Sequence, residues 1–266
     1  MRTDLTNTEY HNHPAISSSD VKAVASKTLE HWRGQVRKEK AAFDMGTAVH
    51  AMLLQPDDDL ITRGPIDRRG DKWKDLKLAA DLDGKLLLTS GDYDIAQAMS
   101  ESAMRNATAR ELLSHKDLIC EASFFAIDPV TGIEIKCRPD GCTKSGLLLD
   151  VKTTRDASPD GFAREVHKFG YHIQAAFYTR VLRASGLPAD QMHFIAVEKE
   201  PPYAVGVHIL TKEYLYLADQ VVTRTLEQIS RAQSENRFTT GWPDVNVISL
   251  PRWLEEIPED EEEDFN

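Results

Sequence analysis

Two aspartates and a lysine stand at a spacing that could bind a divalent cation. Asp140 follows Pro139, and Asp150 comes after nine further residues, with Lys152 two positions beyond it. Residues two apart in a strand point to the same face, so a strand here would present Asp150 and Lys152 together while Val151 points into the core. Two converging carboxylates repel unless a cation lies between them, and their hard oxygens favour Mg²⁺ or Mn²⁺.

Phosphodiester hydrolysis requires what such a site would offer, namely an activated water and positive charge beside the phosphate oxygens. Lys152 would either accept a proton from the water or stabilise the pentacovalent phosphorus as a cation, and the sequence leaves both roles open. An isolated Asp-x-Lys carries little information, since strands often expose such pairs. The prediction depends on its combination with Pro139-Asp140, with the apolar run 147–149, and with a downstream helix.

Short strands and flanking helices must position these residues. Three β-rich runs, 118–127, 132–138 and 146–152, predict a meander that places Asp140 and Asp150 on neighbouring strands joined by the turn 141–146. Apolar periodicity predicts helices at 18–32, 45–54, 93–115 and 171–184, strands at 193–198 and 203–210 joined by a Pro201-Pro202 turn, and a long helix capped by Thr211. The polar stretch 62–77 is predicted to be an exposed loop.

Length and composition favour one large domain. With 266 residues, of which 41% are hydrophobic, we expect a single domain over residues 1–250, mainly helical over 1–117 and sheet-containing over 118–250. The absence of a signal sequence or a membrane-length apolar run leads us to expect a cytoplasmic protein without a membrane partner. Three cysteines, Cys120, Cys137 and Cys142, are expected to be reduced core residues, because they fit neither a disulfide framework nor a zinc site.

The net charge neither supports nor excludes a nucleic-acid substrate. The formal charge is −11, but residues 251–266 hold eight acidic residues and one arginine, so most of the excess belongs to this tail. We expect the tail to be disordered and to act as a solvated end, with a regulatory DNA mimic as the alternative. A basic cluster, Arg68, Arg69, Lys72 and Lys74, could contact DNA, although a solvated loop is its commoner role.

These residues together resemble the PD-(D/E)XK nuclease superfamily, and within it the RecE-type exonucleases (the C-terminal nuclease domain of exodeoxyribonuclease VIII), relatives of lambda exonuclease and RecB nuclease domains. The resemblance spans nearly the whole chain, from the serine-rich opening helix through Gly46-Thr47-Ala48-Val49-His50 and the aspartate core to Gln174-Ala175-Ala176-Phe177-Tyr178. It implies an α/β fold with a restriction-endonuclease-like core, a central mixed sheet flanked by helices, and N-terminal helical additions. The second acid is Asp150, a variant that the family admits.

The resemblance also implies roles for single residues. His50 resembles the helical histidine that ligates metal in RecB-like members, and its ring nitrogen suits Mn²⁺ better than Mg²⁺. Glu121 resembles an additional acidic group of related sites. Gln174 and Tyr178 match a Gln-x-x-x-Tyr motif whose i, i+4 spacing lets both reach phosphate or position the lysine. Two divalent ions would be held by His50, Asp140, Asp150 and the Val151 carbonyl.

The activity implied is a processive 5′-to-3′ exonuclease that acts on ends of linear double-stranded DNA and leaves a 3′ single strand for recombination. Such an enzyme would form a ring-shaped homo-oligomer, a trimer or tetramer, and would work with a single-strand annealing protein in a bacterial or phage-encoded recombination module. Two alternatives stay open. One is a Cas4-like or RecB-like nuclease of other polarity, and the other is a catalytically silent DNA-binding module.

Overall fold

The computed structural model describes residues 1–35 and 45–251. Within these ranges the helices are α1 (Asn7–Asn12), α2 (Ser18–Ser26), α3 (Leu29–Arg33), α4 (Met45–Leu54), α5 (Asp71–Leu82), α6 (Ser90–Arg105), α7 (Ala107–Leu113), α8 (Pro159–Lys168), α9 (Tyr171–Ala184) and α10 (Lys212–Ser234). The strands are β1 (Ile61–Arg63), β2 (Leu86–Leu88), β3 (Ile119–Cys120), β4 (Phe124–Ile127), β5 (Glu134–Cys137), β6 (Gly141–Cys142), β7 (Leu148–Thr154), β8 (His193–Glu198) and β9 (Val205–His208).

A mixed five-stranded sheet occupies the centre of the fold. Its strand order is β3-β6-β7-β8-β9, in which β7 and β8 run parallel and the other neighbours run antiparallel. The parallel pair requires a crossover, which α8 and α9 supply between β7 and β8. β1 and β2 form a separate parallel pair, and β4 and β5 form an antiparallel hairpin. This arrangement confirms the expected α/β class with a central mixed sheet flanked by helices.

The two faces of the sheet bury different hydrophobic cores. Leu148 packs into the core formed with α2, α9 and α10, whereas its neighbours Leu149 and Val151 pack into the core formed with α4 and α6. Central parallel strands are covered on both faces, which explains why Leu148, Leu149 and Val151 of β7 and the whole run 194–197 of β8 are buried apolar residues. Among these buried residues Asp150 stands out, because it is charged and yet only 1% exposed. Its burial needs a functional or structural explanation.

Several predicted elements are confirmed. The helices over 45–54 and 171–184 and the strand over 193–198 have the predicted limits, and Thr211 caps α10 by accepting a hydrogen bond from the Tyr214 amide. The helical stretch predicted over 93–115 is present as α6 and α7, which divide at Asn106. Pro201-Pro202 joins β8 to β9 as expected, and this peptide bond is cis. After α10 the chain is irregular up to residue 251.

Three predicted elements are wrong in part. The helix predicted over 18–32 breaks at residues 27–28, because the Thr28 side chain caps a new helix by accepting from the His31 amide. The loop predicted over 62–77 contains the end of β1 and the first half of α5. The predicted meander divides between two sheets, since the backbone of Glu121 has φ +53° and separates β3 from β4. The helix α8 had no counterpart in the sequence prediction.

The N-terminal segment is tied to the strands that lead into Asp140. Arg2 forms a β-bridge with Ser123, and Ile16 forms one with Ile135. Arg138 donates through its guanidinium to the Leu5 carbonyl at 3.0 Å and lies over the Tyr10 ring at 4.4 Å. The segment therefore belongs to the main body of the fold.

Other expectations concern the thiols, membranes and the acidic tail. Cys137 and Cys142 are buried free thiols, and Cys120 is a free thiol of intermediate exposure. No helix in the described ranges is both long and apolar enough to span a bilayer. The expectation of a disordered tail concerns residues 251–266, of which 252–266 lie outside the described residues.

Candidate active site

Asp140 and Val151 meet at the junction of β6 and β7. Asp140 comes immediately before β6, which pairs with β7 through Gly141 opposite Leu149. The Asp140 carboxylate accepts the Val151 amide hydrogen at 2.6 Å. The carboxylate is therefore fixed against the strand that carries Asp150, as the sequence predicts for neighbouring strands.

His50 reaches the same point from α4. Its Nε2 lies 2.6 Å from the Val151 carbonyl oxygen, and its Nδ1 lies 3.4 Å from the Asp140 carboxylate. The α4 sequence explains this position, because Ala48, Val49 and Leu53 bury one face of the helix and leave His50 at its edge. The histidine therefore contacts two of the oxygen donors that the family resemblance assigned to a metal, Asp140 and the Val151 carbonyl.

Glu121 completes a three-residue acidic and histidine cluster. One ligand atom from each of His50, Glu121 and Asp140 lies within 4.8 Å of the other two. Glu121 adopts a left-handed backbone conformation, φ +53°, and its amide donates to the Asp140 carbonyl at 3.2 Å. Such a conformation is unfavourable for a residue with a side chain and is often retained at functional sites. The kink turns the chain so that the Glu121 carboxylate can join the cluster.

The acids of this cluster are held in an environment that disfavours their charge. Burial raises the pKa of Glu121 to about 7, with a further contribution from the negative charge of Asp140. Burial likewise raises the pKa of Asp140 to about 6, followed by repulsion from Asp150. His50 partly offsets the repulsion in both cases. Carboxylates that are buried and crowded in this way favour a bound cation, which would offset their mutual repulsion.

Asp150 lies next to this cluster but has its own partners. One of its carboxylate oxygens accepts a 2.7 Å hydrogen bond from the Gln174 side-chain amide, and the other forms an ion pair with Lys152. Gln174 comes from α9, where its neighbours Ile173 and Phe177 fix the helix in the core. The contacts confirm that Asp150 and Lys152 share the α9 side of β7, whereas Val151 is buried on the other side.

Lys152 is held as a cation. Burial disfavours its charged form, but the negative charges of Asp150 and Asp140 outweigh this effect and raise the pKa of Lys152. Its ammonium also lies 4.9 Å from the centre of the Tyr171 ring, which favours positive charge. Of the two roles left open by the sequence, the stabilising cation is the one that these contacts support.

An open cleft of about 640 Å³ adjoins Lys152 and His50. Besides these two, its walls carry the cationic side chains of Lys22, Arg155, Lys168 and Lys199 and the carboxylate of Glu165. None of the four additional cations forms an ion pair within the described residues. A cleft with this excess of positive charge suits an anionic ligand, even though the whole chain is acidic.

Two sets of predicted site residues lie away from the cleft. Tyr178, one helical turn after Gln174, lines a second cavity beside Tyr10 and Lys136, and burial raises its pKa well above the usual value. In the predicted basic cluster, Arg68 pairs with Asp92 and Lys74 pairs with Asp71. Arg69 and Lys72 are exposed, and none of the four lines the cleft. Their roles in phosphate or DNA contact stay predictions.

The sequence analysis missed the cationic walls of the cleft. Lys22 is on α2, Arg155 follows β7, Lys168 ends α8 and Lys199 follows β8, so folding alone brings them together. The only local signal was Arg155, three residues after Lys152. The ring of Tyr171 could have been found from its position three residues before Gln174, which puts both on one side of α9.

The residues present fit a divalent cation. The cluster offers carboxylate oxygens from Glu121 and Asp140, a carbonyl oxygen from Val151 and an imidazole nitrogen from His50, a donor set that suits Mn²⁺ or Mg²⁺. Asp150 is close enough to raise the pKa of Asp140, although its own oxygens face Gln174 and Lys152. The acidic cluster, a divalent cation bound to it and the adjoining open cleft could together bind a phosphate group and support its hydrolysis.

Comparisons with known proteins identify the same fold. Residues 15–244 match a family model described as a PDDEXK-like domain of unknown function (DUF3799). The crystal structure of a candidate exonuclease from Eubacterium rectale is similar over 97% of this chain and 100% of that chain, with 15% identity and a TM-score of 0.61. An alkaline exonuclease from Laribacter hongkongensis aligns over 71% of this chain and 91% of its own, with 13% identity and a TM-score of 0.28. No curated protein matches the chain.

Proposed function

The chain belongs to a family of PDDEXK-like domains, and from this premise we propose that it is a nuclease that hydrolyses DNA phosphodiester bonds with the help of a divalent cation. One observation carries the proposal. Asp140, Asp150 and Lys152 converge with His50 and Glu121 at the edge of a cleft whose walls are cationic. A buried group of acids has no evident structural purpose, since it costs stability, whereas a metal-assisted hydrolase needs it.

The proposal assigns a task to each side chain of the site. His50, Glu121, Asp140 and the Val151 carbonyl would hold a divalent cation, with Asp150 beside them. The cation would supply Lewis acidity and lower the pKa of a bound water. Gln174 fixes the orientation of the Asp150 carboxylate through its 2.7 Å hydrogen bond. Lys152, held as a cation, would place its charge beside the phosphate oxygens, where negative charge grows in the transition state.

The finer proposal is a 5′-to-3′ exonuclease on linear double-stranded DNA that uses Mg²⁺ or Mn²⁺, with two ions per site. It is supported by the resemblance to RecE-type exonucleases, and by the names of the Eubacterium rectale and Laribacter hongkongensis proteins as exonucleases. A ring-shaped oligomer and a single-strand annealing partner belong to the same proposal. The cluster of three ligand residues accounts for one ion, so the second would require Asp150 to leave Lys152 or Gln174.

Labelled substrates test the proposed activity and its polarity. Purified protein with Mg²⁺ or Mn²⁺ should release mononucleotides from linear duplexes, leave covalently closed circles intact, and lose activity in EDTA. A duplex labelled at its 5′ ends should release label at once, whereas a 3′ label should stay on the single strand that remains. Early release of the 3′ label would contradict the polarity, and cleavage of closed circles would contradict the requirement for an end. Binding to duplexes without any cleavage in either metal would favour the silent binding module.

Metal binding should stabilise the protein in a pH-dependent way. The raised pKa values of Glu121 and Asp140 mean that the metal-free native state binds more protons than the unfolded chain up to about pH 7, so its free energy of unfolding falls as the pH rises through that window. A cation requires the deprotonated acids. At pH 8 a hundredfold excess of Mn²⁺ over its Kd should therefore raise the Tm by about 5–8 °C, a gain that shrinks as the pH falls toward 6.

Differential scanning fluorimetry with and without Mn²⁺ measures this effect. The Glu121→Gln protein should lose most of the metal-dependent gain, whereas Glu101→Gln, an exposed change on α6, should keep it. An equal gain in both variants would remove Glu121 from the proposed ligand set. If Mn²⁺ raised the Tm equally at pH 6 and pH 8, metal binding would not depend on deprotonation of Glu121 and Asp140, and this prediction would be wrong.

A further inference from the structure

Lys22 and Lys152 line the same cleft, but their ammonium groups differ in their partners. Lys152 forms an ion pair with Asp150. Lys22, which lies halfway along α2, lines the same cleft but has neither an ion pair nor a side-chain hydrogen bond among the described residues. Of these two lysines, Lys22 is thus the one whose charge remains available to a ligand.

The fold positions Lys22 through a glycine. Val21 and Val24 anchor α2 in the core, which turns Lys22 toward α9. At the start of α9, Gly170 has φ +65°, and a Cβ atom there would lie 2.8 Å from Cδ of Lys22 and 3.2 Å from its Cγ. Any other residue at position 170 would be strained and would displace the lysine stem. The aliphatic part of Lys22 therefore lies against bare backbone, and this contact restricts the rotamers available to its ammonium group.

This arrangement is electrostatically unfavourable without a ligand. Burial lowers the pKa of Lys22 and the positive charge of Lys152 lowers it further, while the negative charge of Asp150 offsets only part of this effect. A half-buried lysine that faces another lysine loses hydration and gains no compensating ion pair. A bound anion would offset this cost, because it would supply the missing negative charge.

The rest of the cleft indicates which kind of anion would bind. Arg155, Lys168 and Lys199 extend the positive surface beyond Lys22, opposed in the cleft wall by Glu165. A single small carboxylate would need only one or two of these cations. A polyanion such as a nucleic-acid strand can use several of them at once, because each phosphate carries a charge.

We propose that Lys22 is a phosphate-binding residue, which together with Lys152 flanks one phosphate group of the DNA strand in the cleft. The inference rests on the proposed function and adds a residue from α2 to it. Lys22 contributes an ammonium hydrogen bond to a nonbridging oxygen. In this way it orients the strand and offsets the negative charge that the acidic cluster places next to it.

Binding measured without metal tests Lys22 separately from cleavage. A short duplex oligonucleotide is titrated with the wild-type, Lys22→Met and Lys27→Met proteins in EDTA at several salt concentrations. Lys27 follows the same helix and is exposed, so its replacement makes the same charge change outside the cleft. Lys22→Met should weaken binding about tenfold at 0.1 M salt and reduce the slope of log K against log salt by about one, whereas Lys27→Met should change neither appreciably.

Lys22→Arg separates a lost contact from a damaged fold, because it restores the charge and should recover most of the affinity. Equal binding by Lys22→Met and wild type, or failure of the arginine variant to recover affinity in a protein of wild-type Tm, would overturn the proposal. In single-turnover cleavage Lys22→Met should be slower by about ten- to a hundredfold. If the wild type cuts no DNA, the proposed function fails, while the binding comparison still decides the role of Lys22.

Discussion

Replacing Asp150 by asparagine is expected to reduce DNA cleavage at least about a thousandfold, the largest effect we expect for any single change in this site. Asparagine has the same shape and can still accept the hydrogen bond from Gln174. It cannot neutralise Lys152 or contribute a charged oxygen beside Asp140. The chemistry should therefore be lost while the position of α9 against β7 is kept.

Single-turnover rates and DNA affinity measured on the same preparation test this prediction. Asp150→Asn should bind DNA at least as tightly as the wild type, because a negative charge has been removed beside the cleft. Asp160→Asn, an exposed change in the first turn of α8, should cleave normally. Lys152→Met should be similarly inactive, and the double variant should be little worse than either single one, since the two residues act as a unit. Substantial metal-dependent cleavage by Asp150→Asn would end the mechanism.

Asp128→Ala is expected to cause the largest loss of stability, about 3 kcal/mol in the free energy of unfolding. Asp128 is wholly buried in the turn after β4, where its carboxylate accepts from the Val130 and Thr131 amides and from the Arg180 guanidinium at 3.1 Å. The Arg180 guanidinium, on α9, also donates a hydrogen bond to the Asp219 carboxylate on α10. Removing the carboxylate leaves a nearly buried guanidinium short of one counter-ion and two amides without acceptors.

The neighbouring pair Arg183 and Asp190 supplies a matched control. It is also an arginine–aspartate pair, and Arg183 is on the same helix as Arg180, but its side chains are 55% and 85% exposed. Asp190→Ala should therefore change stability little, since solvent screens exposed ion pairs. Urea unfolding at pH 7 measures both variants, and Asp128→Ala should also lower the Tm by about 6–12 °C. A loss no larger than that of Asp190→Ala would show that the buried network contributes little.

The sequence was sufficient to predict the local part of the site. Asp150 and Lys152 share a strand, so their relative orientation follows from the two-residue period, and Gln174 is on a helix whose apolar stripe dictates its face. Asp140 was placed correctly because a short turn leaves it few positions relative to β7. The positions of all these residues depend only on one strand, one helix or one short turn, and such local geometry can be inferred from sequence.

The remaining features depend on tertiary structure. Lys22 enters the cleft only because α2 packs against α9, and no periodicity in residues 18–26 indicates that contact. Tyr178 satisfies the motif spacing, but it lies about 6 Å farther along α9 than Gln174 and is turned by about 40°. It therefore lines a different cavity. The kink at Glu121 overrode a stretch with clear strand propensity, so the predicted meander was too regular.

The anchoring of the N-terminal segment has a consequence for the order of folding. Leu5 and Thr6 find their guanidinium partner in Arg138, more than 130 residues later in the chain, and Arg2 meets its bridge partner at Ser123. Contacts between such distant positions close large loops and form slowly. During synthesis residues 2–16 are made before the β4–β5 hairpin and must therefore wait for it before they can form these contacts. Amide hydrogens of residues 2–16 should accordingly gain protection late in refolding, after those of α4 and α6.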